Sequence, residues 1–504
     1  MKQQITVTVN GKPTLAVCGI IISELINGEK PCGGHGKCGK CKVIARGDLS
    51  EVTDAEKKNL TADELARGVR LACLTYALGE CHIETITERE QTQIVSNGEL
   101  PEFELHPTFL QYGVAIDIGT TTLAARLYDT KGTPHAETSR LNPQQEWGAD
   151  VISRIEAALD GKARELAGAI RKALDEILAE LAQKAGIFSQ EIDGVVITGN
   201  TVMLSLLTEE SVEPFSHAPF DAKRLFGETL TAESLELTSL KSETSVYLPP
   251  CISAFVGADT TCAILATELT QKTEPTMLAD IGTNGEMALW SNGKLTVCST
   301  AAGPAFEGVG ISMGMRGAVG AIDKVTLKDD ALHAHVIGDT EPKGICGSGL
   351  VDAVACMLDH EILDESGFLE DEPFTVQAPV TLTQKDIRML QLAKSAISAG
   401  LMTLIQNEKF QPSDIQTLYI AGGFGNYLNP QSAARIGLLP NGLTACLQAV
   451  GNAALAGASM LLLNATVKEQ AAKLAKKTAV LDLSTNPTFS ELYMSGMTLG
   501  ACED

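Results

Sequence analysis

The 504-residue chain has no long uninterrupted apolar run, no excess of basic charge and no Walker A lysine motif. Each absence removes a class of function. The best membrane candidate, the charge-free stretch 436–467, is broken by Pro440, Asn441, Gln448, Gly451 and Asn452 and is rich in Ala and Gly. It reads as buried helix in a large domain rather than a membrane span. Lys and Arg number 39 against 63 Asp and Glu, a net charge of −24, so nucleic acid and anionic membranes, which repel a polyanion, are set aside as main partners. The missing lysine motif argues against a P-loop fold. No signal-type apolar segment opens the chain: Ile5, Val7 and Val9 alternate with polar residues, the period of a strand. The expected location is the cytoplasm. Thirteen cysteines there are not a disulfide framework, so any clustering among them calls for metal or redox chemistry.

At roughly 150 residues per domain, the length suggests about three domains, and 44% hydrophobic with 20% charged residues is a globular composition. Charge is uneven. Residues 1–85 carry eleven Lys/Arg and ten Asp/Glu, a net +1, which leaves −25 on the remainder and marks the first segment as a separate unit. There, 5–17 reads as a hairpin turning at Asn10-Gly11, a short helix is expected over Ile20 to Ile26, and CKVIA and GECHIETI read as strands. Residues 87–111, polar and holding Pro101 and Pro107, read as a linker. From Tyr112 the pattern becomes α/β: strand, tight turn and strand in YGVAIDIGTTTLAARLYD, helices around 151–186, and a buried strand in GVVITGN. The opening recurs as MLADIGTNGEMALW, its Asp-Ile-Gly-Thr 163 residues further on, which suggests two lobes of one repeated design.

Cys32, Cys38 and Cys41 are spaced C-x5-C-x2-C, and Cys73 follows later. An iron–sulfur rhomb needs four converging thiolates: three come naturally from one wrapped loop and the fourth from a later segment. Gly33, Gly34, Gly36 and Gly39 let that loop bend and aim N–H groups at sulfides. Zinc competes, but four-cysteine zinc sites usually show two close pairs and only Cys38/Cys41 form one. A Rieske centre needs two histidines, and the loop has His35 alone. Cys81 is the alternative fourth ligand, in an apparent strand, against Cys73 in LACLTY. The remaining cysteines (18, 251, 262, 298, 346, 356, 446 and 502) read as small buried hydrophobes. Lys30, Lys37, Lys40 and Lys42 flank the loop and are candidates for steering an acidic electron donor.

In DIGTTT, Asp117 ends an apolar strand and Gly119 permits a sharp turn, so the amides of Thr120, Thr121 and Thr122 can face a phosphate. A carboxylate there suits Mg²⁺, directly or through its waters. DIGTNGE repeats the pattern with Asp280, Gly282, Thr283, Asn284, Gly285 and Glu286. A third element, Gly422, Gly423, Phe424, Gly425 and Asn426, leaves room for a nucleoside to approach the backbone. Asp259 in VGADTT and Glu307 in AAGPAFEG are candidates for positioning a water, or equally for capping a helix. CGSGLVDAV and GNAALAGASM read as small-residue helices packed closely at the hinge.

Residues 1–86 resemble a β-grasp ferredoxin of the adrenodoxin or plant type, although the plant spacing is C-x4-C-x2-C and this loop is one residue longer. Residues 112–504, with three glycine turns in this order, resemble the actin-like and sugar-kinase ATPase superfamily, where they form the phosphate-one, phosphate-two and adenosine motifs. The resemblance implies a multidomain fold: an α+β β-grasp 2Fe-2S ferredoxin domain over 1–86, a linker over 87–111, and a two-lobed α/β actin-like (ribonuclease H-like) ATPase with lobes over 112–270 and 275–504. Together the parts resemble the reductive activators of corrinoid proteins. That family returns an electron to inactive Co(II), making Co(I) for methyl transfer, in an ATP-dependent step. The resemblance implies a 2Fe-2S cluster on Cys32, Cys38, Cys41 and Cys73, with ATP and Mg²⁺ on the Asp117 and Asp280 turns. It also implies a corrinoid protein of a methyltransferase system as partner, a donor such as a reduced ferredoxin or flavin reductase, and a homodimer in many members. The alternatives are an activator of the 2-hydroxyacyl-CoA dehydratase type, which lacks an N-terminal ferredoxin, a chaperone-like cobalamin reactivase, which leaves the cysteines unexplained, and a small-molecule kinase with a redox sensor.

Overall fold

The computed structural model describes residues 4–26, 36, 41–60, 62–85, 100–328 and 331–500, and divides into two compact units. One comprises residues 1–90 with 143–162, the other 91–142 with 163–504.

In the first unit the alternation of Ile5 and Val7 with polar neighbours makes the strand Gln4–Val9, paired antiparallel with Lys12–Val17. Asn10 and Gly11 turn with φ of 50° and 77°, the left-handed pair that a two-residue hairpin requires. The sheet runs Lys12–Val17, Gln4–Val9, Tyr76–Thr85, Lys42–Leu49, Val69–Leu71, with Gln4–Val9 parallel to Tyr76–Thr85. Val7, Ile22, Val43, Leu71 and Ile83 fill its core. The expected helix at 20–26 is replaced by a two-residue strand, Ile20–Ile21, and one 3₁₀ turn, Ile22–Glu24. The reason is local: β-branched isoleucines favour extended backbone, and Ile20 and Ile21 pair with Ala77 and Tyr76. Glu56, fully buried in the capping box of Asp54–Asn59, holds the segment on both sides of Cys73 by accepting from Arg70 Nε at 2.9 Å, Leu71 N at 3.1 Å and Thr75 Oγ1 at 3.1 Å.

The second unit contains two six-stranded sheets of one plan. In the first, Tyr112–Ile118 runs antiparallel to Thr122–Asp129, which pairs with Pro134–Leu141, while Ile192–Gly199 and Ser245–Leu248 continue parallel on the other side. In the second, Thr276–Ile281, Gly285–Ser291 and Lys294–Thr300 form the same meander, continued in parallel by Thr417–Ala421 and Leu447–Gly451. The recurring Asp-Ile-Gly-Thr therefore marks a recurring sheet. The stretch 436–467 holds the buried helix Ala453–Leu463, but its part Leu447–Gly451 is a strand. No helix among the described residues is long and apolar enough to cross a membrane. The helical region 151–186 breaks at Gly161, φ 88°, into Val151–Ala157 and Ala163–Ala185. Within the second unit, His106 N and Thr108 N donate to Leu463 O and Leu462 O at 2.9 Å each, and Phe109 is buried.

Candidate functional site

Both hairpin turns open onto one cleft of about 280 Å³ in the second unit. Strand pairing dictates this: Asp117 and Asp280 are the penultimate residues of equivalent strands, so their side chains emerge where each sheet ends. Gly119 N bonds Thr122 O at 3.0 Å and Gly282 N bonds Asn284 O at 2.9 Å, so each turn is closed by a backbone bond, the second one residue tighter than the first. Glu307 ties them together. Its Oε2 accepts from Thr121 Oγ1 at 2.7 Å and from Thr283 Oγ1 at 3.0 Å.

Asp117, Gly119, Thr120, Thr121, Thr122, Asp259, Asp280, Gly282, Thr283, Asn284, Glu286, Glu307, Gly422, Gly423 and Phe424 all line the cleft. Gly285, Gly425 and Asn426 do not line it. A side chain on Gly285 would strike Ile397, and one on Gly425 would strike Ile420, so these glycines serve packing. Asn426 Oδ1 instead accepts from Gly451 N at 3.1 Å, which ties the 3₁₀ turn Gly425–Tyr427 to the end of the strand Leu447–Gly451. Gly422 needs its glycine: at φ 89° a Cβ would meet Asp280 Oδ1 and Ile281 O at 3.0 Å. Phe424 stacks on Phe306 with centroids 4.5 Å apart. Asp259 sits in the first turn of Ala258–Ala266, accepts from Thr260 N at 2.7 Å and faces the cleft as well.

Crowding of carboxyls away from water governs the electrostatics. Burial, with Asp259 and Asp280 nearby, pushes Asp117 up to about 7 against the opposing hydrogen bond from Asn452. Burial, then Asp259 and Glu307, pushes Asp280 up to about 7. Burial raises Asp259 to about 6, and burial with Asp259 and Asp280 raises Glu286 well above the usual range. Such a group of acids suits a divalent cation accompanying a polyphosphate. Among the described residues no three of them close to the spacing of a metal cage. Mg²⁺ does not need one, because it keeps several waters and uses one or two carboxylates.

Sequence reasoning missed several residues here. Asn452 Nδ2 donates to Asp117 Oδ2 at 2.9 Å while its Oδ1 caps the helix Ala453–Leu463. Asn200 Nδ2 reaches Thr120 Oγ1 at 3.2 Å and its Oδ1 caps Thr201–Leu207. Asn142 holds the first turn through Gly119 O at 2.9 Å. The signal was present: Gly-Asn after a strand, twice, before an apolar helix. Helices Gly347–Asp359 and Ala453–Leu463 do pack closely, as expected, since a Cβ on Gly349 would lie 2.2 Å from Ile322 O and one on Gly457 2.0 Å from Cys262 O. Yet Cys346, Gly347, Ser348 and Asn452 also line the cleft.

In the first unit, Cys41 and Cys73 are both buried and their sulfurs lie 3.1 Å apart. Cys32 and Cys38 lie outside the described residues. Cys81 sits inside Tyr76–Thr85 with Val7 and Gly47 as strand partners, and burial pushes its thiol up, with Asp48 adding to the shift. Cys18 corrects the buried-hydrophobe expectation: it is exposed. Lys42 is no free steering charge, because it pairs with Glu64 at 2.6 Å. Lys30, Lys37 and Lys40 lie outside the described residues.

Paired meander sheets, twin phosphate-type turns and the cleft between them define an actin-like, sugar-kinase-type (ASKHA) fold. Residues 274–503 match the family model for the C-terminal domain of RACo, the ASKHA domain, and 112–272 match the RACo middle region. A corrinoid activation enzyme of Eubacterium limosum, RamQ, is 35% identical over 423 residues, 77% of this chain and 70% of that one. A Co(II) methylated amine-specific corrinoid protein reductase of Methanosarcina barkeri is 27% identical over 417 residues, 76% of each chain. The solved structure of a reductive activator for corrinoid, iron-sulfur protein superposes with a TM-score of 0.71 at 27% identity and covers 99% of both chains. This chain belongs to the RACo family, the reductive activators of corrinoid proteins.

Proposed function

We propose that this protein reductively activates a corrinoid protein of a methyltransferase system, passing one electron to inactive Co(II) to give Co(I) in an ATP-dependent step. The observation that carries the nucleotide half is Glu307 Oε2, held at once by Thr121 and Thr283 from two equivalent turns. A polyphosphate entering between those hydroxyls and the turn amides would be gripped from both sheets. Asp117 and Asp280 face the cleft at matching strand ends, where they would hold the waters of Mg²⁺. Asp259 and Glu307, which also line the cleft, would orient a hydrolytic water. Gly422, Gly423 and Phe424 would receive the nucleoside.

The electron half rests on the cysteines. Cys41 and Cys73, 32 residues apart in sequence, bring buried sulfurs to 3.1 Å, which supports their serving one centre. Cys81, its thiol pushed up inside a strand, is poorly suited to be a thiolate ligand. The mixed sheet with its parallel pair of terminal strands fits a β-grasp domain over 1–86, followed by a linker over 87–111 and lobes over 112–270 and 275–504. Cys32, Cys38, Cys41 and Cys73 would hold a 2Fe-2S cluster, whose chemistry there would be the supply of single electrons. An unfavourable one-electron transfer costs about 2.3 kcal/mol per 100 mV. Differential binding of the partner to a nucleotide-closed cleft can offset a few kcal/mol of that. A donor such as a reduced ferredoxin or flavin reductase would feed the cluster, in a homodimer of the kind many members of the family form.

The test is absorbance of Co(I) formed from a Co(II) corrinoid protein, with anaerobic protein and reductant, with and without ATP. Co(I) accumulating only with ATP supports the reading. Equal yields without nucleotide, or a preparation free of iron and sulfide, sink it.

A further inference from the structure

Five carboxylates line the cleft, and among the described lining residues the sole cation is Arg316. It is half-buried, yet among the described residues no carboxylate or carbonyl pairs with its guanidinium. Elsewhere in the chain, Arg70, Arg126, Arg140, Arg171 and Arg224 each hold a carboxylate at 2.6–3.1 Å. Arg316 shares the cleft with five acids and, among the described residues, pairs with none.

Its backbone is fixed. Met315 N donates to Ile345 O and Ile345 N to Met313 O, each at 2.9 Å. Asp386, the buried N3 residue of helix Gln384–Asn407, accepts from Ser312 N at 2.6 Å and Ser312 Oγ at 3.0 Å. Gly308, at φ 76°, packs so closely that a Cβ would lie 2.5 Å from Met315 N. The segment therefore starts at Glu307, which joins the two turns, folds back on itself and delivers Arg316 to the cleft at a set place. A polyanion entering a cleft lined by carboxylates needs positive charge beyond the metal ion. A guanidinium offers it as a planar fork matched to phosphate oxygens.

We propose that Arg316 binds the phosphate chain of the nucleotide, completing from the second lobe the cradle made by the two turns. This rests on the ATP reading above. The test is calorimetric binding of ATP, ADP and adenosine to the whole protein and to Arg316→Gln and Arg316→Lys, with melting curves to check folding. Arg316→Gln should bind ATP and ADP at least tenfold more weakly, equivalent to about 1.4 kcal/mol, with adenosine unchanged and Arg316→Lys intermediate. ATP affinity within twofold of wild type in Arg316→Gln, or an equal loss for adenosine, overturns the assignment while leaving the ATP reading in place. Wild-type protein that binds no ATP overturns both.

Discussion

Replacing Glu56 by Gln tests the reasoning where a buried charge organises the cysteine segment. Glu56 is fully buried, and its carboxylate takes hydrogen bonds from Arg70 Nε and Nη2, Leu71 N, Thr75 Oγ1 and Thr53 N at 2.9–3.1 Å. Burial alone would raise its pKa, but the bonds from Arg70, Thr53 and Leu71 outweigh that and lower it from 4.5 to about 2. At about 1.4 kcal/mol per pH unit this is roughly 3 kcal/mol of native-state preference for the ionised form. Breaking a buried pair by removing one partner costs about 3–5 kcal/mol, in agreement, because Arg70 is left charged and 7% exposed. The folded pKa is depressed, so this contribution is fully present above about pH 4.5 and is lost as pH falls towards about 2. The assay is hydrogen exchange at Leu71 and Ala72 in the whole chain; Leu71 N bonds Glu56 and Ala72 N bonds Cys41 O at 2.8 Å. Protection in Glu56→Gln should fall by roughly two orders of magnitude or more, since 1.4 kcal/mol is tenfold. Protection within threefold of wild type at pH 7 would refute the argument.

Three further outcomes follow from the geometry. Cys41→Ser and Cys73→Ser should each lose iron and visible absorbance while Cys81→Ser keeps them; the reverse pattern would make Cys81 the ligand. Gly457→Ala places a Cβ 2.0 Å from Cys262 O and must part the helices Ala258–Ala266 and Ala453–Leu463, at a cost of about 1–3 kcal/mol; a melting temperature equal to wild type would contradict this. Asp117 and Asp280, each pushed up to about 7, are mainly protonated at pH 6, so binding of MgATP should release more protons at pH 6 than at pH 8. Calorimetry in two buffers of different ionisation heat measures the difference, and equal release at both pH values would count against cation binding by these acids.

Local chemistry was legible where each residue's role depends on its neighbours in sequence. Asn10-Gly11 has to turn a hairpin, and the repeated Asp-Ile-Gly-Thr marks two equivalent strand ends. The helix expected at 20–26 failed because pairing of Ile20 and Ile21 with a strand more than fifty residues away overrode local pattern. Gly425 and Gly285 looked like parts of the nucleotide motifs, but whether a glycine faces a ligand or a neighbouring isoleucine depends on what the fold places opposite it.

By itself the sequence determined the cysteine spacing, the order of the three glycine turns and the strand–turn–strand register that puts an acid at each strand end, because these follow from residue type and short-range geometry. Only the tertiary structure decided that Thr121 and Thr283 meet on one oxygen of Glu307, that Asn452 reaches Asp117 from 335 residues away, and that Arg316 shares the cleft with the acids, unpaired among the described residues. Such meetings are set by how two sheets pack across a cleft, and no local pattern along the chain encodes that distance.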